Sequence, residues 1–203
     1  MTKELIIRPE KYRMDKMGIR AFVAVELPQF VTGELKKIQE ELRKDARRES
    51  GWVRAENIHL TLKFMDEVKA EDIDKIAREL MDAGRDITPF TLFLGEITIK
   101  NGRLLWVEVD DHEMLAALKN NIDDALSRLG FEREVRPFKA HLTLCRIKNE
   151  AHHIRLKRRL GAVGRIQGAV KFEVTGFVFM RSELTPSGAE YSVIRHIPLR
   201  TPS

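Results

Sequence analysis

The tetrapeptide His-Leu-Thr-Leu occurs twice, at His59-Leu60-Thr61-Leu62 and at His141-Leu142-Thr143-Leu144. With 6 His, 10 Thr and 21 Leu among 203 residues, shuffling this composition yields about 0.003 copies, so the repeat is organisation rather than chance. In a β-strand alternate side chains share a face, which puts His59 with Thr61 on one side and Leu60 with Leu62 on the other. His141 and Thr143 follow the same rule. Each copy therefore displays a base and a hydroxyl above leucines that bury behind the strand.

Imidazole titrates near neutral pH, so of two such rings one takes a proton while the other gives one. The pair suits in-line substitution at phosphorus, in which the nucleophile enters opposite the leaving oxygen. One ring receives the nucleophile's proton and the other protonates the departing oxygen, while the threonine hydroxyls hold the non-bridging oxygens. Rings within hydrogen-bond reach of opposite apical oxygens have nitrogens roughly 6 to 8 Å apart. The histidines are 82 positions apart, without the clustered carboxylates or cysteines that would complete a metal's coordination sphere. The chemistry therefore reads as metal-free, with no cofactor.

The elements that must position these strands are legible around them. Ile19 to Leu27 is a buried strand, and Pro28 opens a helix with Val31, Leu35, Ile38 and Leu42 on one side. Lys36, Lys37, Arg43, Lys44, Arg47 and Arg48 are its solvated face. Glu71 to Gly84 is a second helix with Ile73, Ile76, Ala77, Leu80 and Met81 inward and Gly84 as its terminator. Phe90 to Lys100 and Arg103 to Val109 flank Asn101-Gly102, a pair that favours a type I′ hairpin turn. A third helix carries Met114 or Leu115, then Leu118, Ile122, Leu126 and Leu129, and the second His-Leu-Thr-Leu strand follows Pro137. The order strand, helix, loop, strand thus recurs, which predicts two similar lobes. Glu150 to Leu160 reads as a basic helix, and Lys171 to Met180 and Tyr191 to Leu199 read as strands. Hairpins with helices outside them give an α+β class rather than a parallel sheet.

Composition bounds the rest. Of the residues 43% are hydrophobic and 33% charged, with a net charge of +5 and a pI near 9.4, a bias that accommodates a polyanionic partner without requiring one. One cysteine, Cys145, excludes an internal disulfide framework and any multi-cysteine zinc site, and points to a reducing cytoplasm. No run approaches a membrane span, and residues 1–17 lack the apolar core of a signal peptide. They read as an N-terminal extension dispensable to a single two-lobed domain over 18–200.

Taken together, the ordered set of Arg20 to Pro28, Trp52-Val53, His59 to Phe64, Arg136-Pro137-Phe138, His141 to Leu144 with Arg146, and Ser182 to Gly188 through Tyr191 resembles the two-histidine (2H) phosphoesterase superfamily. The similarity is to its RNA 2′,3′-cyclic phosphodiesterases, historically called 2′-5′ RNA ligases. It implies a bilobal pseudo-twofold fold of two antiparallel sheets with a central cleft. It further implies opening of a 2′,3′-cyclic phosphate at an RNA end, or on a cyclic nucleotide, to a 2′-phosphate, with 2′-5′ joining as the reverse reaction. His59 and His141 carry over as acid and base, with His141 activating water and His59 protonating O3′. Thr61, Thr143 and Arg146 would hold phosphate, and Phe64 would stack on a base. A regular strand opposes the last two, because Lys63 and Cys145 would then share the histidine face. Arg146 and Phe64 need a bulge or a strand end to reach it. Cys145 reads as a small buried residue. His112, His152, His153 and His196 read as surface or loop residues, with His152-His153 and Arg181 within conceivable reach of RNA. The competing reading is a non-catalytic module that holds an RNA end or a nucleotide.

Overall fold

The computed structural model describes residues 18–44, 51–110, 112–163, 170–186 and 188–200. The extension over 1–17 lies outside them, as do Arg47 and Arg48. The unbroken apolar run after Gly18 forms β1 (Ile19–Glu26), and Pro28 precedes α1 (Gln29–Arg43), accepting the first helical N–H groups on its carbonyl. The first His-Leu-Thr-Leu lies on β2 (His59–Val68), followed by α2 (Ile73–Gly84). Strands β3 (Phe90–Lys100) and β4 (Leu104–Val109) form the expected hairpin. Asn101 and Gly102 sit at φ 49° and 65°, and Arg103 N–H bonds Lys100 O at 3.0 Å, as a primed turn requires. Helix α3 (Glu113–Ser127), strand β5 (His141–Arg146) with the second tetrapeptide, and α4 (Glu150–Val163) complete the repeat. Strands β6 (Lys171–Val174), β7 (Gly176–Thr185) and β8 (Gly188–Pro198) close the chain.

All pairings are antiparallel, in the order β6-β3-β4-β5-β2-β1-β7-β8. The two expected sheets are its halves, β2-β1-β7-β8 and β5-β4-β3-β6, which meet at one ladder pair, Leu60 with Leu142. Reading outward from that joint, β1-α1-β2 corresponds to β4-α3-β5, so a pseudo-twofold axis passes between the two motif strands. Alternation in β1 buries both faces. Ala21, Val23 and Val25 join the large core, and Phe22 and Ala24 join a smaller cluster with Val178 and Met180 on the opposite side.

Three expectations change. Lys171 to Met180 is two strands, since β6 pairs with β3 at one end of the sheet and β7 with β1 in the other half. Alternation persists across the break at Thr175, so periodicity alone does not show the chain leaving one sheet edge for another. Gly84 serves packing, because a Cβ there would lie 2.8 Å from Phe177 Cε1. Met81 lies outside the apolar stripe and is 52% exposed.

Candidate active site

Two equivalent irregularities decide what reaches the cleft. In β2 the ladder with β1 passes from Ala24–Thr61 to Val23–Lys63, leaving Leu62 as an extra residue. In β5 the ladder with β4 passes from Trp106–Thr143 to Leu105–Cys145, leaving Leu144 extra. A bulge of one residue reverses the facing of everything beyond it. Lys63 and Cys145 accordingly turn inward, 6% and 0% exposed, while Phe64 (63% exposed) and Arg146 emerge on the histidine side. The obstacle that strict alternation raised against Phe64 and Arg146 is removed at both positions by the same device.

The histidines are mounted identically. His59 Nδ1 lies 2.8 Å from the carbonyl of Asn57, and His141 Nδ1 lies 2.7 Å from that of Lys139. A carbonyl only accepts, so each Nδ1 carries the hydrogen and each Nε2 is left for chemistry. Burial holds His59 below the usual imidazole value. Its bond to the Asn57 carbonyl opposes this, and the positive charges of Arg146 and of His141 lower it further. Burial lowers His141 as well, against its own carbonyl bond. The Leu60–Leu142 pair sets the two motif strands side by side, so the two halves meet where the histidines are mounted. From the Leu60–Leu142 pair the antiparallel sense runs His59 toward Thr143 and Thr61 toward His141.

The surroundings break the symmetry. His59 stacks on Phe22, with centroids 4.7 Å apart and planes inclined by 25°, and meets Tyr191 edge-on at 5.3 Å. Phe64 tilts over Phe22 at 5.9 Å. This half of the cleft floor is apolar, with Val178, Met180 and Val193 beside the rings. Across the joint, His141 lies against Trp106 at 4.1 Å, and Lys100 Nζ sits 5.8 Å from that indole. Sequence reasoning singled out neither Phe22 nor Trp106 as a neighbour of a histidine. The signal was available in the pairing, because Trp106 stands opposite Thr143 and therefore on its face.

The other candidates have partners of their own outside the two histidine-threonine pairs. Contrary to its reading as a surface residue, His152 is fully buried, with Nε2 3.9 Å from Cys145 Sγ, and it cannot touch RNA. It faces inward from α4 because the stripe of that helix includes it beside Leu156. Burial pushes the Cys145 thiol up to about 12, which suits a core residue and not a nucleophile. His112 caps α3, its Nδ1 accepting from Met114 N–H at 3.2 Å. His153 and His196 approach Glu150 and Glu26, each at 3.5 Å. Arg181 is paired with Glu183. Among the described residues no three His, Cys, Asp or Glu side chains gather into a metal-binding group, and no helix is long and apolar enough to cross a membrane.

Comparison with known proteins agrees with this geometry. The chain matches the LigT-like phosphoesterase family twice in succession, over residues 25–106 and 107–191, so that each match contains one of the two motif strands. It belongs to that family. It is 30% identical over 186 residues to a protein of Methanothermobacter thermautotrophicus named RNA 2′,3′-cyclic phosphodiesterase, covering 87% of this chain and 96% of the relative. A protein of the same name from Methanocaldococcus jannaschii is also 30% identical, over 87% and 99% of the two chains. Among solved structures, LigT of E. coli complexed with 3′-AMP superposes with a TM-score of 0.74 at 25% identity, over 91% of this chain and 99% of that one.

Proposed function

We propose that this protein opens 2′,3′-cyclic phosphate ends of RNA, leaving a 2′-phosphate, by acid-base catalysis between His59 and His141. The observation that carries the proposal is the matched mounting of the two imidazoles, at 2.8 and 2.7 Å from backbone carbonyls. It orients both Nε2 atoms for proton transfer in a chain whose relatives are named for this reaction. The unequal halves of the cleft support a division of labour. A terminal nucleoside fits the apolar half, where the exposed Phe64 and the half-buried Tyr191, both packed on the buried Phe22, offer its base aromatic surface to stack on. The leaving O3′ belongs to that nucleoside, so His59 is the acid and His141 the base.

In the reaction, His141 Nε2 takes a proton from water as the water oxygen bonds to phosphorus. The P–O3′ bond breaks, and His59 Nε2 protonates O3′. The two rings end with exchanged protonation and are reset by solvent. Thr61 and Thr143 donate to the non-bridging oxygens, and Arg146 offsets their growing charge. No step requires a metal or a cofactor. A 5′-hydroxyl in place of water gives 2′-5′ joining by the same proton transfers. The catalytic unit is residues 18–200, with 1–17 an extension not needed for turnover, and a lone buried thiol suits the cytoplasm.

Product analysis tests the leaving-group assignment. An RNA oligomer ending in a 2′,3′-cyclic phosphate is expected to yield a 2′-phosphate; a 3′-phosphate product would overturn it.

A further inference from the structure

Each bulge that turns a site residue into the cleft is held by the helix of the opposite half. The carbonyl of Leu144, the extra residue of β5, accepts from Val53 N–H at 3.0 Å and from Gln39 Nε2 at 3.0 Å, and Gln39 Nε2 also donates to the Val53 carbonyl at 2.8 Å. Gln39 is on α1, in the first half, and is 3% exposed. An amide is costly to bury unless its groups are bonded, and here Nε2 joins two backbone carbonyls that no apolar side chain could join. Two residues on, Arg146 N–H donates to Gly51 O at 2.7 Å. Gly51 has φ +109°, and a Cβ there would stand 2.1 Å from Arg146 O, so this approach requires glycine. The counterpart lies across the pseudo-twofold axis. Lys63, beside the β2 bulge, sends its ammonium to Asp123 on α3 at 3.1 Å and to the carbonyl of Glu132, with Lys119 on the other oxygen of Asp123.

We propose that Gln39 is a positioning residue for Arg146, and that Asp123 with Lys63 plays the matching part for Phe64. Each motif strand is then strapped by the helix of the other half. Without the strap at Leu144, a slip of one residue returns Arg146 to the inner face and Cys145 to the cleft. The inference rests on the role assigned above to Arg146, and its test separates the two.

Gln39→Met keeps the length of the side chain and removes its donors. It is combined with Arg146→Ala and, separately, with Phe64→Ala, and kcat/KM is measured on the cyclic-phosphate oligomer for variants whose folding is verified by circular dichroism. Gln39→Met is expected to lose roughly tenfold or more, as misplaced groups do, in the parent and in Phe64→Ala, and to lose nothing further in Arg146→Ala. The same loss in every background, or a folded Gln39→Met with parental activity, overturns the inference. A silent Arg146→Ala single variant removes the role of Arg146 and the inference with it, and that failure is recognisable before any double variant is made. If Gln39→Met does not fold, Gly51→Ala replaces it in the same cycle, since its Cβ displaces the Arg146 backbone from the opposite side.

Discussion

His59 and Phe22 lie stacked at 4.7 Å, so the ring proposed as the acid rests one face on an aromatic floor. Burial lowers the affinity of His59 for its proton, and His141 is lowered for the same first reason. In the free enzyme the base must be neutral and the acid protonated, so kcat/KM rises with pH through one value and falls through the other. Both lie below the usual imidazole value of 6.5, which places the falling limb of kcat/KM below that pH. The bound phosphate anion favours protonated imidazole, so the falling limb of kcat moves to higher pH. Paired pH-rate profiles check both statements, and a kcat/KM that falls only above 6.5 would contradict the first.

Arg146 adds to the lowering of His59, and its charge is not a cause of the shift at His141. Arg146→Ala should therefore move one limb of the kcat/KM profile upward and leave the other in place, besides weakening substrate binding. If His59 is the acid, the limb that moves is the falling one. Movement of the rising limb instead would reverse the assignment of acid and base.

Thr61 and Thr143 stand in equivalent places, before the two bulges. Replacing either by Val keeps the shape and removes one donor to the non-bridging oxygens. Each is expected to cost about a hundredfold in kcat, the order found for the loss of one oxyanion donor, with KM little changed. Steady-state kinetics on the two variants tests this; an effect confined to KM would make the threonines binding groups only.

The thiol of Cys145, fully buried and pushed up to about 12, should resist alkylation at neutral pH in the native protein and react promptly in denaturant. Thiol titration under both conditions reads this directly. Rapid native labelling would mean that Cys145 faces the cleft, and that the bulge at Leu144 is absent.

How much of this was legible in sequence differs by element. The doubled tetrapeptide placed His59, Thr61, His141 and Thr143 on one face each, because alternation is a local property of a strand. Asn101-Gly102 gave its turn for the same reason, since the positive φ of both residues depends on residue type. The bulges could only be named as a requirement for Phe64 and Arg146, because the side chains bonded beside them, Gln39 and Asp123, come from distant helices. Lys63 shows the limit well. A lysine inside a strand reads as solvent-facing, yet its ammonium is buried against Asp123 at 3.1 Å. The hop from β6 to β7 and the burial of His152 are likewise set by which surfaces meet, and not by local pattern.

The most direct measurement is the reaction of EDTA-treated protein with an RNA oligomer ending in a 2′,3′-cyclic phosphate, beside His59→Ala and His141→Ala of verified fold. The account predicts conversion to the 2′-phosphate by the parent and its loss in both variants, with the oligomer still bound. Binding without conversion by the parent would contradict it and make the cleft a recognition site, and full activity in either folded variant would remove that histidine from the chemistry.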